Sequence, residues 1–180
     1  MVNSQELSVP TEAKVWAPEI RIKAFNIFSE AFEPRLNVIY YPGPRTDMSP
    51  SKAQSFNNSR IIYVDMDEDA IEVLKKEGCE AYAKDAKKFN PGKVDLLLLF
   101  SFYGKEPLKY VVRNGYVICN GDWTGGAVGK MLGQNDFKLV GVFTDDNQRL
   151  VTDEETLRIN SQTRNPGKVK AENLFVFRKK

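Results

Sequence analysis

Residues 36–67, LNVIYYPGPRTDMSPSKAQSFNNSRIIYVDMD, decide the fold. The runs Asn37–Tyr41 and Arg60–Val64 are rich in β-branched and aromatic residues and end at turn or charged residues, which is typical of buried strands. Between them, residues 42–47 form a Pro/Gly turn, and residues 49–56 begin with Ser-Pro, a favourable helix start. The stretch therefore predicts two parallel strands joined by a helix, one βαβ unit of an α/β sheet.

The same stretch predicts a ligand site. In such a sheet, ligands bind where the strands end at their carboxyl termini. The loop 42–47 follows the first strand and Asp65 follows the second, so both lie on one rim. A carboxylate in the position of Asp65 can accept hydrogen bonds from both hydroxyls of a ribose. We expect a ribose-bearing small molecule there, although Asp65 is also suited to a plain helix-initiating role.

The composition predicts one domain, because 180 residues with 42% hydrophobic content support one sizeable core. With 26 basic and 24 acidic residues interspersed, no strong nucleic-acid signal exists. The chain contains no histidine, which disfavours Ser/His hydrolases and histidine zinc sites.

Cys79 and Cys119 show no CxxC spacing, so the sequence predicts reduced thiols and no metal site. The longest apolar stretch, 94–102, is about half of the roughly 20 residues that a membrane span needs. These features predict a cytoplasmic protein with no membrane partner and an undetermined oligomeric state.

Helices and strands alternate along the rest of the chain. The predicted helices are 18–32, 70–77, 106–112 and 124–132, and the further strands are 79–83, 93–102, 116–120, 137–143 and 173–177. The single domain, 1–180, divides into a leader and helix (1–35), core βα units (36–143), a polar insertion (144–172) and a last strand (173–178). We expect the polar insertion to hold a hairpin or a functional flap.

This order resembles the class I S-adenosylmethionine-dependent methyltransferases over residues 36–178. The resemblance implies a three-layer Rossmann-like α/β fold, with seven mostly parallel strands in the order 3-2-1-4-5-7-6 and strand seven antiparallel. In that family, an acid after strand two binds the ribose and an Asp after strand three meets the adenine amine, positions matched here by Asp65 and Asp85. The segment Asn114–Ile118 resembles the family's turn before strand five.

The first loop departs from the family pattern, D/E-x-GxGxG. Tyr41 stands near the position of the missing acid, and the loop keeps one glycine, Gly43, between two prolines. It is similar to a YPG-x-x-TD-x-SP variant of uncharacterised methyltransferase-like proteins. That resemblance implies that Asp47 replaces the acid as the partner of the methionine amino group.

The resemblance implies an S-adenosylmethionine site at the ends of the first four strands. Its predicted cofactor-binding residues are Tyr41, Pro42, Gly43, Asp47, Asp65, Met66, Asp85, Ala86 and Ser101. The predicted substrate-binding residues are Tyr103, Asn120 and Trp123. The catalytic candidates are Tyr103, to orient an acceptor, and Asp122, to take its proton. Helix capping is an equal account of Asp85 and a similar alternative for Asp47, which precedes a predicted helix. Ordinary loop chemistry is an alternative for the residues after strands four and five.

Two classes of function stay open. One is a methyltransferase acting on a small molecule or a protein, with no metal. The other is a non-catalytic Rossmann-like protein that binds a ligand or a partner and has lost methyl transfer. A nucleotide-dependent oxidoreductase is disfavoured because the chain has no GxGxxG motif.

Overall fold

The structure is a computed structural model that describes residues 15–101, 104–120, 136–144, 148–153 and 173–180. Its centre is an eight-stranded sheet in the order β3-β2-β1-β4-β5-β8-β6-β7. The strands are β1 (Val38–Pro42), β2 (Arg60–Asp65), β3 (Glu80–Ala83), β4 (Val94–Leu99), β5 (Val111–Asn120), β6 (Phe137–Thr144), β7 (Arg149–Val151) and β8 (Leu174–Lys179). The helices are α1 (Glu19–Phe32), α2 (Ser49–Lys52) and α3 (Glu68–Lys76), with 3-10 segments at Gln54–Phe56 and Glu106–Tyr110.

The predicted Rossmann-like topology is confirmed. Strands β3, β2, β1, β4 and β5 are parallel, with β1 inside the sheet between β2 and β4. Strand β8 lies between β5 and β6 and is antiparallel to both, as expected of the family's strand seven.

The prediction of seven strands was one short. Strand β7 pairs antiparallel with β6 at the sheet edge and makes a hairpin inside the polar insertion 144–172. Leu150 of β7 packs against the core, next to Phe32 and Gly141. Strand β7 has three residues, and its two apolar residues, Leu150 and Val151, are too short a run within a polar stretch to predict a strand.

The central strands read as continuous apolar runs because both faces of the sheet are covered. Tyr41 and Tyr63 point to the face that carries α1, α2 and α3, whereas Tyr40 and Ile62 point to the opposite face. On the helical face, Phe25 of α1 packs between other aromatic rings, at 5.3 Å from Phe56 and 6.2 Å from Phe100 between centroids. These contacts attach α1 to the sheet near the carboxyl ends of β1 and β4.

Three local predictions needed correction. The helix expected at 49–56 is α2 followed by a 3-10 turn, and Ser49 is its first residue while Met48 is the N-cap. The helix expected at 106–112 is a 3-10 helix that ends at Tyr110. Asn114 and Gly115 lie within β5, where the pairing with β4 shifts register between Val94 and Leu96, and not in a turn before it. The helix predicted at 124–132 lies outside the described residues.

Within the described part of the chain, no helix is long and apolar enough to cross a membrane. Cys79 and Cys119 are free cysteines. Burial raises the pKa of the Cys119 thiol, so this side chain behaves as a small core residue.

The bulge in β5 generates the first testable prediction. A Cβ at Gly115 would lie 2.8 Å from Val111 Cγ1 and 2.9 Å from the Val112 carbonyl oxygen, so Gly115→Ala should destabilise the protein by about 1–3 kcal/mol in urea unfolding. Gly92→Ala is the control, since its Cβ meets nothing within 4 Å and only its positive φ of 81° adds strain, about 1 kcal/mol. Equal losses of unfolding free energy in the two variants would show that the backbone around Gly115 shifts to accept the added methyl group at no cost.

Candidate ligand site at the carboxyl edge of the sheet

The loop after β1 folds back against the end of β2. Gly43 has a φ of 67°, a conformation that glycine adopts without strain, and its N–H donates to the Val64 carbonyl oxygen at 2.8 Å. Arg45 also has a positive φ, 51°, and the Asp47 N–H donates to the Pro44 carbonyl oxygen at 3.0 Å. The chain therefore turns tightly around the carboxyl ends of β1 and β2.

Asp65 lies at the end of β2 and holds this loop. Its Oδ2 accepts from the Arg45 N–H at 2.9 Å, and its Oδ1 accepts from the Asp67 N–H at 3.1 Å. A carboxylate has about four lone-pair positions, so each oxygen can still accept one further hydrogen bond. Asp65 is half-buried and the neighbouring Met66 is 72% exposed, which leaves this corner of the rim open to a ligand.

Asp47 is in a different environment, because it is only 1% exposed. Its Oδ2 accepts from Arg21 Nη1, in an ion pair, and from the Tyr41 hydroxyl at 2.7 Å. Its Oδ1 accepts from the Ser49 N–H at 2.9 Å and from the Ser49 hydroxyl. All four acceptor positions are filled by the protein, so the structure offers no free oxygen of Asp47 to a ligand's amine.

The cation that pairs with Asp47 comes from α1. The guanidinium of Arg21 lies over the rings of Trp16 and Phe100, with Cζ at 4.6 Å and 4.3 Å from their centroids. The segment that carries Trp16 is attached to the first loop, since the Trp16 N–H donates to the Thr46 carbonyl oxygen and its own carbonyl accepts from the Met48 N–H. The residues before α1 thus form one side of the rim.

Tyr41 contributes a neutral hydroxyl to this cluster. Burial raises the pKa of Tyr41 well above its usual value, and the neighbouring Asp47 carboxylate raises it further. The phenol therefore stays protonated and donates a hydrogen bond to Asp47. Its ring also packs edge-on against Phe100, with 5.6 Å between centroids, which joins the ends of β1 and β4.

After β3, Asp85 begins a turn. Its Oδ1 accepts from the Lys87 N–H at 2.9 Å, and its carbonyl accepts from Lys88 and Phe89. Ala86 beside it is buried. Strands β2 and β3 are joined here by the Lys84 N–H, which donates to the Asp65 carbonyl oxygen at 2.8 Å. A turn and not a helix follows Asp85, so these contacts are those of a turn, and its adenine contact stays a prediction.

The ends of β4 and β5 are described in part. Ser101 is exposed, and Asn120 Nδ2 donates to the Phe100 carbonyl oxygen at 3.4 Å. The Asn120 Oδ1 atom is buried without a hydrogen-bond partner. Tyr103, Asp122 and Trp123 lie outside the described residues, so their roles stay predictions. Across the described ranges, no group of three His, Cys, Asp or Glu side chains could hold a metal ion.

The structure therefore brings together the loop 42–47 and Asp65, as predicted from their places after β1 and β2. It adds Arg21 and Ser49, which sequence reasoning did not place in the site. Arg21 is one basic residue on an otherwise ordinary helix, and no local pattern relates it to Asp47, 26 residues away.

Comparison with solved structures agrees with this topology. The plantazolicin methyltransferase BpumL, solved with a monoazolic desmethylPZN analog and SAH, matches with a TM-score of 0.58 and 13% identity, over 88% of this chain and 82% of that chain. Coclaurine N-methyltransferase, bound to N-methylheliamine and SAH, matches with a TM-score of 0.54 and 12% identity, over 89% of this chain and 72% of that chain. StiE O-MT matches with a TM-score of 0.55 and 14% identity, over 88% and 72%.

No family model matches the chain, and no curated protein matches it in sequence. The fold is that of the class I S-adenosylmethionine-dependent methyltransferases. At 10–14% identity the likeness is one of fold alone.

The buried ion pair generates the second prediction. Asp47→Asn should lower the free energy of unfolding by about 3 kcal/mol, because it leaves the Arg21 cation without its counterion. Thermal and urea unfolding would measure the loss.

The matched control is Glu72→Gln, which removes one partner of an exposed pair with Lys75 on α3. An exposed pair of this kind contributes little, so the unfolding midpoint should stay nearly unchanged. Wild-type stability of Asp47→Asn would contradict the structural role of the pair.

Proposed function

We propose that this chain binds S-adenosylmethionine at the carboxyl edge of the sheet and transfers its methyl group to an acceptor. The observation that carries the proposal is Asp65, a half-buried carboxylate at the end of the second strand of a class I methyltransferase fold, with acceptor positions left on both oxygens. Ribose hydroxyls are two adjacent donors, which suits such a carboxylate.

The first loop supports the proposal by fixing Asp65. Because the Arg45 N–H holds one oxygen and the Asp67 N–H holds the other, the carboxylate is oriented before a ligand arrives. A preoriented acceptor loses less conformational freedom on binding. Gly43, at the start of the same loop, has no side chain, so only backbone atoms lie at this point of the rim.

Methyl transfer requires few further chemical groups from the protein. The sulfonium of S-adenosylmethionine supplies the reactivity when it is bound, and the chain aligns donor and acceptor and excludes water. The residues proposed to meet the acceptor are Asn120, Tyr103 and Trp123, with Asp122 as the group that takes a proton. Ser101, Asp85 and Ala86 complete the proposed cofactor side.

One observation favours the alternative, a non-catalytic protein with the same fold. The loop offers few backbone donors, because Pro42 and Pro44 have none and the N–H groups of Gly43 and Arg45 are used within the protein. A ligand other than S-adenosylmethionine, or a protein partner, would then use the rim.

The test is calorimetric titration of the wild-type chain with S-adenosylhomocysteine and, separately, with NAD. We expect heat of binding with the first ligand alone. Asp65→Ala should weaken S-adenosylhomocysteine binding by about 2–4 kcal/mol, because it removes a charge-assisted acceptor of two hydroxyls.

The control for this variant is Asp69→Ala, which makes the same change on the exposed face of α3, four residues away. It should bind like the wild type. Absence of binding to the wild-type chain at millimolar S-adenosylhomocysteine would end the methyltransferase proposal and leave the non-catalytic alternative.

A further inference from the structure

The guanidinium of Arg21 is held at one edge by hydrogen bonds and also contacts two aromatic rings. Nη1 donates to Asp47 and to the Tyr41 hydroxyl, the latter at 3.3 Å. The two rings are those of Trp16 and Phe100. A long cationic side chain normally loses considerable rotamer freedom when it binds a ligand. Here the contacts with Asp47, Tyr41 and the two rings already restrict that freedom.

The opposite edge of the guanidinium has no partner in the described part of the chain. Nε carries one N–H and Nη2 carries two, and none of these donates to a described residue. The buried polar atoms without a partner there are Ser29 Oγ, Glu106 Oε2 and Asn120 Oδ1, so the free edge of Arg21 is not sealed in the core. The side chain is 16% exposed, so part of it reaches the surface of the rim.

An Nε–Nη2 edge has a definite chemical preference. Its two parallel N–H bonds match the two oxygens of a carboxylate, giving a bidentate, charge-assisted pair. Asp47 already balances the charge of Arg21, but it engages only Nη1. The arrangement is therefore suited to a second carboxylate, brought by a ligand.

The free edge lies within reach of the proposed ribose site. Arg21 contacts Tyr41 in β1 and Phe100 directly after β4, so it lies at the carboxyl ends of the two central strands. The loop connects the two sites, because Arg45 contacts Asp65 and Asp47 contacts Arg21. Two residues along a chain span at most ~7 Å between Cα atoms. Asp65 and Arg21 therefore contact neighbouring residues of one short loop, where a ligand with a ribose and an amino-acid end could meet both.

We propose that the Nε–Nη2 edge of Arg21 binds the carboxylate at the amino-acid end of the ligand. The inference rests on the proposed function and adds the residue that recognises this end. It also assigns Asp47 a positioning role, since Asp47 holds Arg21 and has no oxygen left for the ligand's amine. Recognition of the amino-acid end then depends on its carboxylate, through α1, and not on its amine, through the first loop.

The experiment compares two ligands and two variants by calorimetry. S-adenosylhomocysteine carries the carboxylate, and 5′-methylthioadenosine has the same nucleoside without the amino-acid end. Arg21→Lys keeps a cation beside Asp47 but loses the bidentate edge, so it should weaken S-adenosylhomocysteine about 10- to 100-fold. Its affinity for 5′-methylthioadenosine should stay that of the wild type.

Arg113→Lys is the matched control, because Arg113 is exposed in the β5 bulge, away from the rim. It should bind both ligands like the wild type. A measurement that needs no variant uses the carboxamide of S-adenosylhomocysteine, which should bind the wild-type chain about 10- to 100-fold more weakly than the acid. This second measurement stands even if Arg21→Lys unfolds.

The outcomes separate the two proposals. Equal losses for both ligands in Arg21→Lys, or equal affinity of the acid and its carboxamide for the wild type, would overturn the role of Arg21 and leave the S-adenosylmethionine site in place. No binding of either nucleoside by the wild-type chain would overturn both.

Discussion

The arrangement of the rim depends on one buried carboxylate, that of Asp47. A charge taken out of water is costly unless it is paired and fully hydrogen-bonded, and Asp47 meets both conditions. Its partners come from three elements: Arg21 from α1, Tyr41 from β1 and Ser49 from the start of α2. Removing any partner leaves an uncompensated polar group in the core, so the cluster favours one geometry of the first loop.

With this cluster in place, the first loop has few backbone donors for the proposed nucleoside ligand. A glycine-rich first loop lets backbone amides approach the ligand closely. In this chain, two prolines provide no N–H, and the N–H groups of Gly43 and Arg45 donate to Val64 and to Asp65. Under the two proposals, the ligand is therefore recognised by side chains that this backbone holds in place, Asp65 on one side of the loop and Arg21 on the other.

Helix α1 has two roles that cannot be separated. Its apolar face, with Phe25 and Phe28, packs on the helical face of the sheet and against the aromatic rings beside it. One turn before Phe25, Arg21 crosses to the first loop. The packing of these aromatic residues sets the position of α1 on the sheet. The same packing therefore sets the position of the Arg21 guanidinium. Core substitutions in α1 are therefore expected to affect the rim as well as stability.

The sequence by itself determined the alternation of strands and helices, the interior place of β1, the antiparallel β8 and the location of Asp65 after β2. The alternation and the place of Asp65 follow from local apolar runs and from the rule that parallel strands end on one edge. The interior place of β1 and the direction of β8 were implied by the resemblance to the methyltransferases. Only the tertiary structure decided that Asp47 is buried and that Arg21 is its partner. It also decided that Asn114 and Gly115 form a bulge and that β7, which contains Leu150, is an eighth strand. The first three depend on contacts between residues distant in the chain, and such contacts leave no periodic signal in the local sequence. The eighth strand belongs to a local hairpin with β6, but it has too few residues to show a period.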